Sequence, residues 1–139
     1  MSKSNKKSFR CIIAGTRNFY DYLTVVKAIN SSGFAGEITE VVSGQAYGVD
    51  SLGERWALSN KIPIKSFPAD WSNISLPDSI VKINKKGEKY NAKAGFIRNE
   101  TMAQYADALI AVIKDDSPGT SHMIKCMKDL NKKVYIWEV

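Results

Sequence analysis

Val41-Val42-Ser43-Gly44-Gln45-Ala46-Tyr47-Gly48-Val49-Asp50 is the stretch that decides the fold. A β-branched run ends in Ser-Gly, a tight loop leads to a second glycine, and Val49-Asp50-Ser51-Leu52 opens a segment of helical periodicity. Strand, loop and helix in that order aim several backbone N–H groups and the positive end of a helix dipole into one small volume, which suits an anion such as a phosphate. Gly44 and Gly48 let a ligand reach the main chain with no Cβ in the way. Junctions of this kind also serve chain geometry alone in α/β proteins, so its meaning depends on the flanking sequence.

Toward the amino end, Phe9-Arg10-Cys11-Ile12-Ile13-Ala14-Gly15 is a short apolar run stopped by glycine, as in a strand buried on both faces of a parallel sheet. Thr16 to Asp21 is a polar turn with Arg17 just past the strand's carboxyl end. Tyr22 to Ser32 carries Leu23, Val26 and Ile29 on one helical face, closed by Ser31-Ser32-Gly33. A second strand, roughly 38–43, feeds the opening loop, and the helix beyond it places Val49, Leu52 and Trp56 at helical spacing, with Gly53 for close packing.

Toward the carboxyl end, 62–68 reads as a third strand bracketed by prolines. From Pro68 to Ala94 the pattern breaks into Asp70-Trp71, Asn, Ser, Pro77, Gly87 and the lysines Lys82, Lys85, Lys86, Lys89 and Lys93. A stretch of that length is functional or mobile, and 71–93 reads as a lid-like insertion or an arm to a neighbouring subunit, with Ile74, Leu76, Ile80, Val81 and Ile83 as anchors and lysines approaching the ligand. Helix returns at Ala94 with Ile97, Thr101, Met102 and Tyr105. A fourth strand follows over 108–113, a turn at Asp115 to Thr120, a last helix marked by Met123, Met127 and Leu130, and a last strand over 134–137. Five strands alternating with four helices define a three-layer α/β domain with a mostly parallel sheet, over 9–139, after a basic tail at 1–8. Right-handed crossovers put the strand-to-helix loops on one edge, where Gly15-Thr16-Arg17, Ser43 to Ala46, Asp70-Trp71 and Pro118-Gly119-Thr120 converge.

The 139 residues suffice for one domain with a real core, and 44% hydrophobic residues exclude a disordered chain. No apolar run approaches a membrane span or a signal peptide, so a cytoplasmic protein without membrane partners is expected. Cys11 and Cys126 have neither metal-ligand spacing nor scaffold density, and read as buried or half-buried thiols. His122 is the sole histidine, which leaves no His-based triad or metal cluster; no metal or cofactor is expected. Net charge +6, from 20 Lys and Arg against 14 Asp and Glu, attracts anions, nucleotides or nucleic acid, or else serves solubility.

Gly15-Thr16-Arg17 with Asp21, SGQAYGVD over 43–50, Trp56-Ala57, Pro68-Ala69-Asp70-Trp71, AGFIRNETM over 94–102, Ala106 to Ile110 and Gly119-Thr120 together resemble the SLOG (SMF/DprA/LOG) superfamily, and within it the YspA-like, cpYpsA-related family of bacterial and phage genomes. The resemblance implies a Rossmann-like fold and a nucleotide or nucleotide-derived ligand, in the manner of an ADP-ribose sensor or sequestering protein. It also implies two alternatives, a nucleotide N-glycosidase like the LOG phosphoribohydrolases and a DprA-like nucleic-acid binder, as well as homo-oligomers. One departure bears on the glycosidase: where LOG enzymes carry a glutamate after Gly-Thr, this chain has Met123, and a thioether is neither acid nor base. Arg98 matches the family's arginine.

The candidate ligand residues are Gly15, Thr16, Arg17, Ser43, Gly44, Gln45, Gly48, Asp50, Asp70, Trp71, Arg98, Asn99, Gly119 and Thr120, with Arg98, Asp50 and Asp70 the candidates for catalysis. Several have structural alternatives. Asp50 could cap its helix, Arg17 could pair with Asp21 or Asp50, Trp71 could close the core, and Met123 and Met127 read as core.

Overall fold

Strand β1 (Arg10–Gly15) is the axis of the structure, hydrogen-bonded on both sides to parallel neighbours. The computed structural model describes residues 7–72, 74, 75, 79–91, 93–114 and 117–139, and of Tyr90 only the backbone. Most of the basic tail, with Lys3 and Lys6, falls outside the described residues, as do Leu76 and Pro77 and the Asp115-Asp116 pair.

After β1 come α1 (Tyr22–Ser31), β2 (Glu40–Ser43), α2 (Val49–Ser59) and β3 (Ile64–Ser66). A hairpin of β4 (Val81–Ile83) and β5 (Lys89–Asn91) precedes α3 (Ala94–Tyr105), β6 (Ala108–Ile113), α4 (Pro118–Asp129) and β7 (Lys133–Glu138). The main sheet has the order β3-β2-β1-β6-β7, parallel throughout. The order reverses between β1 and β6, and in such sheets the crevice at the carboxyl ends of these two strands is where ligands bind.

The three layers follow from alternation along the buried strands. Cys11, Ile13, Val41, Ile110 and Val112 face one way and pack with Val25, Ala28, Ile29, Val49, Leu52 and Trp56 of α1 and α2. Ile12, Ala14, Val42, Leu109 and Ala111 face the other way, onto Met102 and Ala103 of α3 and Met123 and Met127 of α4. The α/β class and the Rossmann-like layering expected from the sequence are therefore present.

Four sequence readings need correction. On α1 the buried stripe is Val25, Ala28 and Ile29, whereas Leu23 is exposed, because the helix sits on the sheet rotated from its simplest apolar stripe. Leu130 caps α4 and is exposed. The polar stretch before α3 contains the β4–β5 hairpin, whose three-residue strands are too short to show alternation; Ile74, Ile80, Val81 and Ile83 are exposed there and do not anchor against the domain. The third strand is also shorter than its apolar run, because β3 is an edge. No helix among the described residues is long and apolar enough to cross a membrane.

Candidate functional site

A cleft of about 460 Å³ opens at the switch point, floored by Ala14, Gly15, Met102 and Met123 and walled by the loops after β1, β2 and β6 and by the first turn of α3. The loops are tied to one another across the reversal. Thr16 Oγ shares a hydrogen bond with Ser117 Oγ at 3.0 Å and accepts one from Lys114 N at 2.8 Å, and Val49 N donates to Thr16 O at 3.2 Å. Gly48 holds φ at +77°, and a Cβ there would collide with the carbonyl oxygens of Thr16 and Arg17, so only glycine lets the two loops nest.

Three helices begin at this cleft: Asp50 of α2, Gly95 and Phe96 of α3, and Pro118, Gly119 and Thr120 of α4 all line it. None of the three has a side-chain cap among the described residues, whereas α1 is capped by Asp21 through Thr24 N. Uncapped first-turn N–H groups carry the partial positive charge of each helix, and three such ends face one volume.

Arg98 is the central side chain. Its Nη1 donates to the carbonyls of Gly44 and Phe67, and its Nε donates to Asn99 Oδ1 at 3.0 Å. Asn99 is buried and in turn donates from Nδ2 to Gly119 O at 3.0 Å, with His122 Nδ1 at 3.3 Å, so one amide fixes the guanidinium and ties α3 to the start of α4. Burial lowers the affinity of Arg98 for its proton; Asp50 opposes this and Arg17 adds to it. Two arginines thus repel each other across the cleft, an arrangement an anion between them would relieve.

Asp50 is 6% exposed and accepts from Ala46 N at 3.4 Å. Burial raises its pKa to about 6, against the N–H groups of Ala46 and Gly15 and the charge of Arg98, which favour the carboxylate. It is the one carboxylate among the described residues lining the cleft.

Of the residues singled out by sequence, Gly15, Thr16, Arg17, Gly44, Asp50, Trp71, Arg98, Asn99, Gly119 and Thr120 line the cleft. Ser43, Gln45, Gly48 and Asp70 do not. Ser43 Oγ donates to Glu54 Oε2 at 2.5 Å and accepts from Gln45 N, and Gln45 Nε2 reaches Ser66 Oγ at 3.1 Å, so this pair braces the loop. Asp70 is exposed and lines a neighbouring cavity. Arg17 pairs with neither Asp21, which is spent on its cap, nor Asp50. Trp71 lies against the start of α3, where a Cβ on Gly95 would stand 3.1 Å from its ring.

Sequence reasoning missed Asn18, Phe96 and Ser117 as lining residues. Asn18 and Ser117 sit in loops it had placed on the right edge; Phe96 lies in the AGFIRNETM run but was not singled out, since helical phase alone does not tell cleft from solvent. No lysine of the 71–93 segment lines the cleft among the described residues. No group of three or more His, Cys, Asp or Glu among them is arranged to hold a metal ion.

The chain is thus a Rossmann-like α/β domain with a parallel main sheet and a cleft at its switch point lined by two arginines. The family profile agrees: residues 9–73 match the YspA, cpYpsA-related SLOG family, as the resemblance had implied. Among solved structures, DNA processing protein A (DprA) from Streptococcus pneumoniae has the same fold, with a TM-score of 0.64 at 17% identity over 94% of this chain. The chain spans 50% of that protein's length. No curated protein matches the chain.

Proposed function

We propose that the cleft binds a nucleotide or a nucleotide-derived, ADP-ribose-like ligand, and that the protein acts as a sensor or sequestering protein for it. The observation that carries this reading is the convergence of Arg17, Arg98 and three uncapped helix starts on one cleft. Phosphates would lie between the arginines and the first turn of α4, and Trp71 and Phe96 offer rings for a base. Its volume falls within the range of about 300–1,000 Å³ usual for small-molecule sites. The SLOG profile over 9–73 and the fold shared with DprA support a role connected with nucleotides or nucleic acid. Mass spectrometry of ligands released from the purified protein, with calorimetry against a nucleotide panel, tests it. Failure of every nucleotide to bind more tightly than millimolar overturns it.

Asp50 favours a second reading, an N-glycosidase. A cleft carboxylate with a pKa of about 6 can exchange a proton near neutral pH, and Arg98 could stabilise developing charge. Met123 at the position of the LOG glutamate weighs against it. Free base released from nucleoside monophosphates or NAD, and lost in Asp50→Ala, would establish the enzyme; no release from any of them would leave a binding protein. Exposed Lys82, Lys85, Lys86 and Lys89 on the hairpin are compatible with nucleic acid, and exposed Ile80, Val81 and Ile83 beside them with a homo-oligomer. Gel shifts whose affinity falls with salt by a slope of about 0.9 per neutralised phosphate would place nucleic acid first.

A further inference from the structure

A second cavity, of about 280 Å³, adjoins the cleft, and Arg98 lines both. Gly95, Phe96 and Asn99 of α3 turn to the cleft, whereas Ala94, Ile97 and Thr101 turn to the second cavity. The smaller cavity falls just short of the volumes of about 300–1,000 Å³ that hold a small molecule by themselves, which suits an annex better than a site of its own. The Arg98 side chain is common to both, and its Nη1 bridges α3 to the carbonyls of Gly44 and Phe67. Neutral carbonyls are weaker partners for a guanidinium than a phosphate is.

The annex has the lining of a sugar or base pocket. Phe67 lines it, its ring packed on Tyr105 with centroids 5.3 Å apart and with Lys65 Nζ 5.8 Å from its own centroid. Asp70 accepts from Ser72 Oγ at 3.1 Å through Oδ1, which leaves acceptor capacity on its other oxygen. Thr101 Oγ donates to Ile97 O at 3.2 Å and keeps its lone pairs for a donor in the annex. A carboxylate and a hydroxyl beside an aromatic residue match a ribose diol or an exocyclic amine.

We infer that the two cavities form one bipartite site, in which phosphates lie at Arg98 and a second sugar or base enters the annex beside Asp70. The site then prefers diphosphates bearing a ring at each end over nucleotides bearing one. This rests on the nucleotide reading above and sharpens it to a ligand class.

Calorimetry on the full chain with ADP, ADP-ribose and diadenosine diphosphate tests it, in the native protein and in the double variant Asp70→Asn with Thr101→Val. At least one two-ended diphosphate is expected to bind about tenfold or more tightly than ADP. The double variant is expected to lose that advantage with its ADP affinity unchanged. Equal affinities for all three ligands in the native protein overturn the bipartite site and leave the nucleotide cleft standing. So does an advantage that survives the double variant, or a variant that weakens all three ligands alike. Failure of all three to bind removes the annex and the nucleotide reading together.

Discussion

Substituting Gly44 by alanine separates the site from the fold. A Cβ at this position would stand 2.5 Å from Arg98 Nη1 and 2.8 Å from its Cζ. Comfortable non-bonded separation is about 3.5 Å, so the guanidinium must withdraw by about 1 Å. The obstacle is the end of a flexible side chain, and the fold should survive. What is lost is the bond from Arg98 to the Gly44 carbonyl, which half-burial lets water partly replace, so a loss of about 1 kcal/mol in stability is expected. Ligand binding should suffer more. A charge-assisted hydrogen bond is worth about 1.5–3 kcal/mol, so Gly44→Ala should raise the Kd for ADP roughly 10- to 150-fold. Urea unfolding and calorimetry on the same samples measure the two effects. Unchanged affinity at unchanged stability would show that Arg98 does not hold the ligand, and loss of the folded state would show that Arg98 cannot yield.

Gly48→Ala should behave in the opposite way, destabilising by about 3 kcal/mol or more, because its Cβ meets backbone carbonyls at a φ of +77° that only glycine accepts readily; urea unfolding reads this. Asp50 predicts a pH dependence. Its pKa of about 6 in the folded protein exceeds the roughly 3.9 of an unfolded aspartate, so the folded state holds more protons between these values and stability contributed by this group falls as pH rises from about 4 through 6. That decline should be absent in Asp50→Asn when unfolding is followed across this range. Asn99→Ala leaves Arg98 Nε and the Gly119 carbonyl without their shared amide and should cost about 1–2 kcal/mol together with ligand affinity, measured as for Gly44→Ala. Lys132 Nζ donates to the carbonyls of Ala103, Gln104 and Ala106 at the far end of α3, so Lys132→Met should lower stability by about 1–2 kcal/mol with ligand affinity intact.

Much of the architecture was legible because it depends on local pattern. Runs such as Cys11 to Ala14 and Ala108 to Val112 are apolar without alternation, as strands buried on both faces must be. Glycine after the first strand and at Gly44 and Gly48, with helical periodicity beyond, marked the loops that meet at the cleft. From the chain order of strands and helices and the handedness of crossovers, convergence of those loops on one edge followed without coordinates.

Which residues on that edge face the ligand was decided only by the tertiary structure. Ser43 and Gln45 belong to the same loop as Gly44, yet they turn to Glu54 and Ser66, and nothing in their spacing distinguishes bracing from binding. Asp50 and Asp70 are equivalent carboxylates in sequence. Burial in the first turn of α2, near the N–H groups of Gly15 and Ala46, sends one to a pKa of about 6, and exposure in the loop after β3 leaves the other in the annex. The link from Arg98 through Asn99 to Gly119 crosses between helices, and the Gly44 carbonyl it also reaches lies 54 residues away in the chain. Periodicity records which face of an element is buried by its neighbours. The direction of a polar side chain at a loop end depends on partners that only folding brings within hydrogen-bond reach, and so it leaves no local trace.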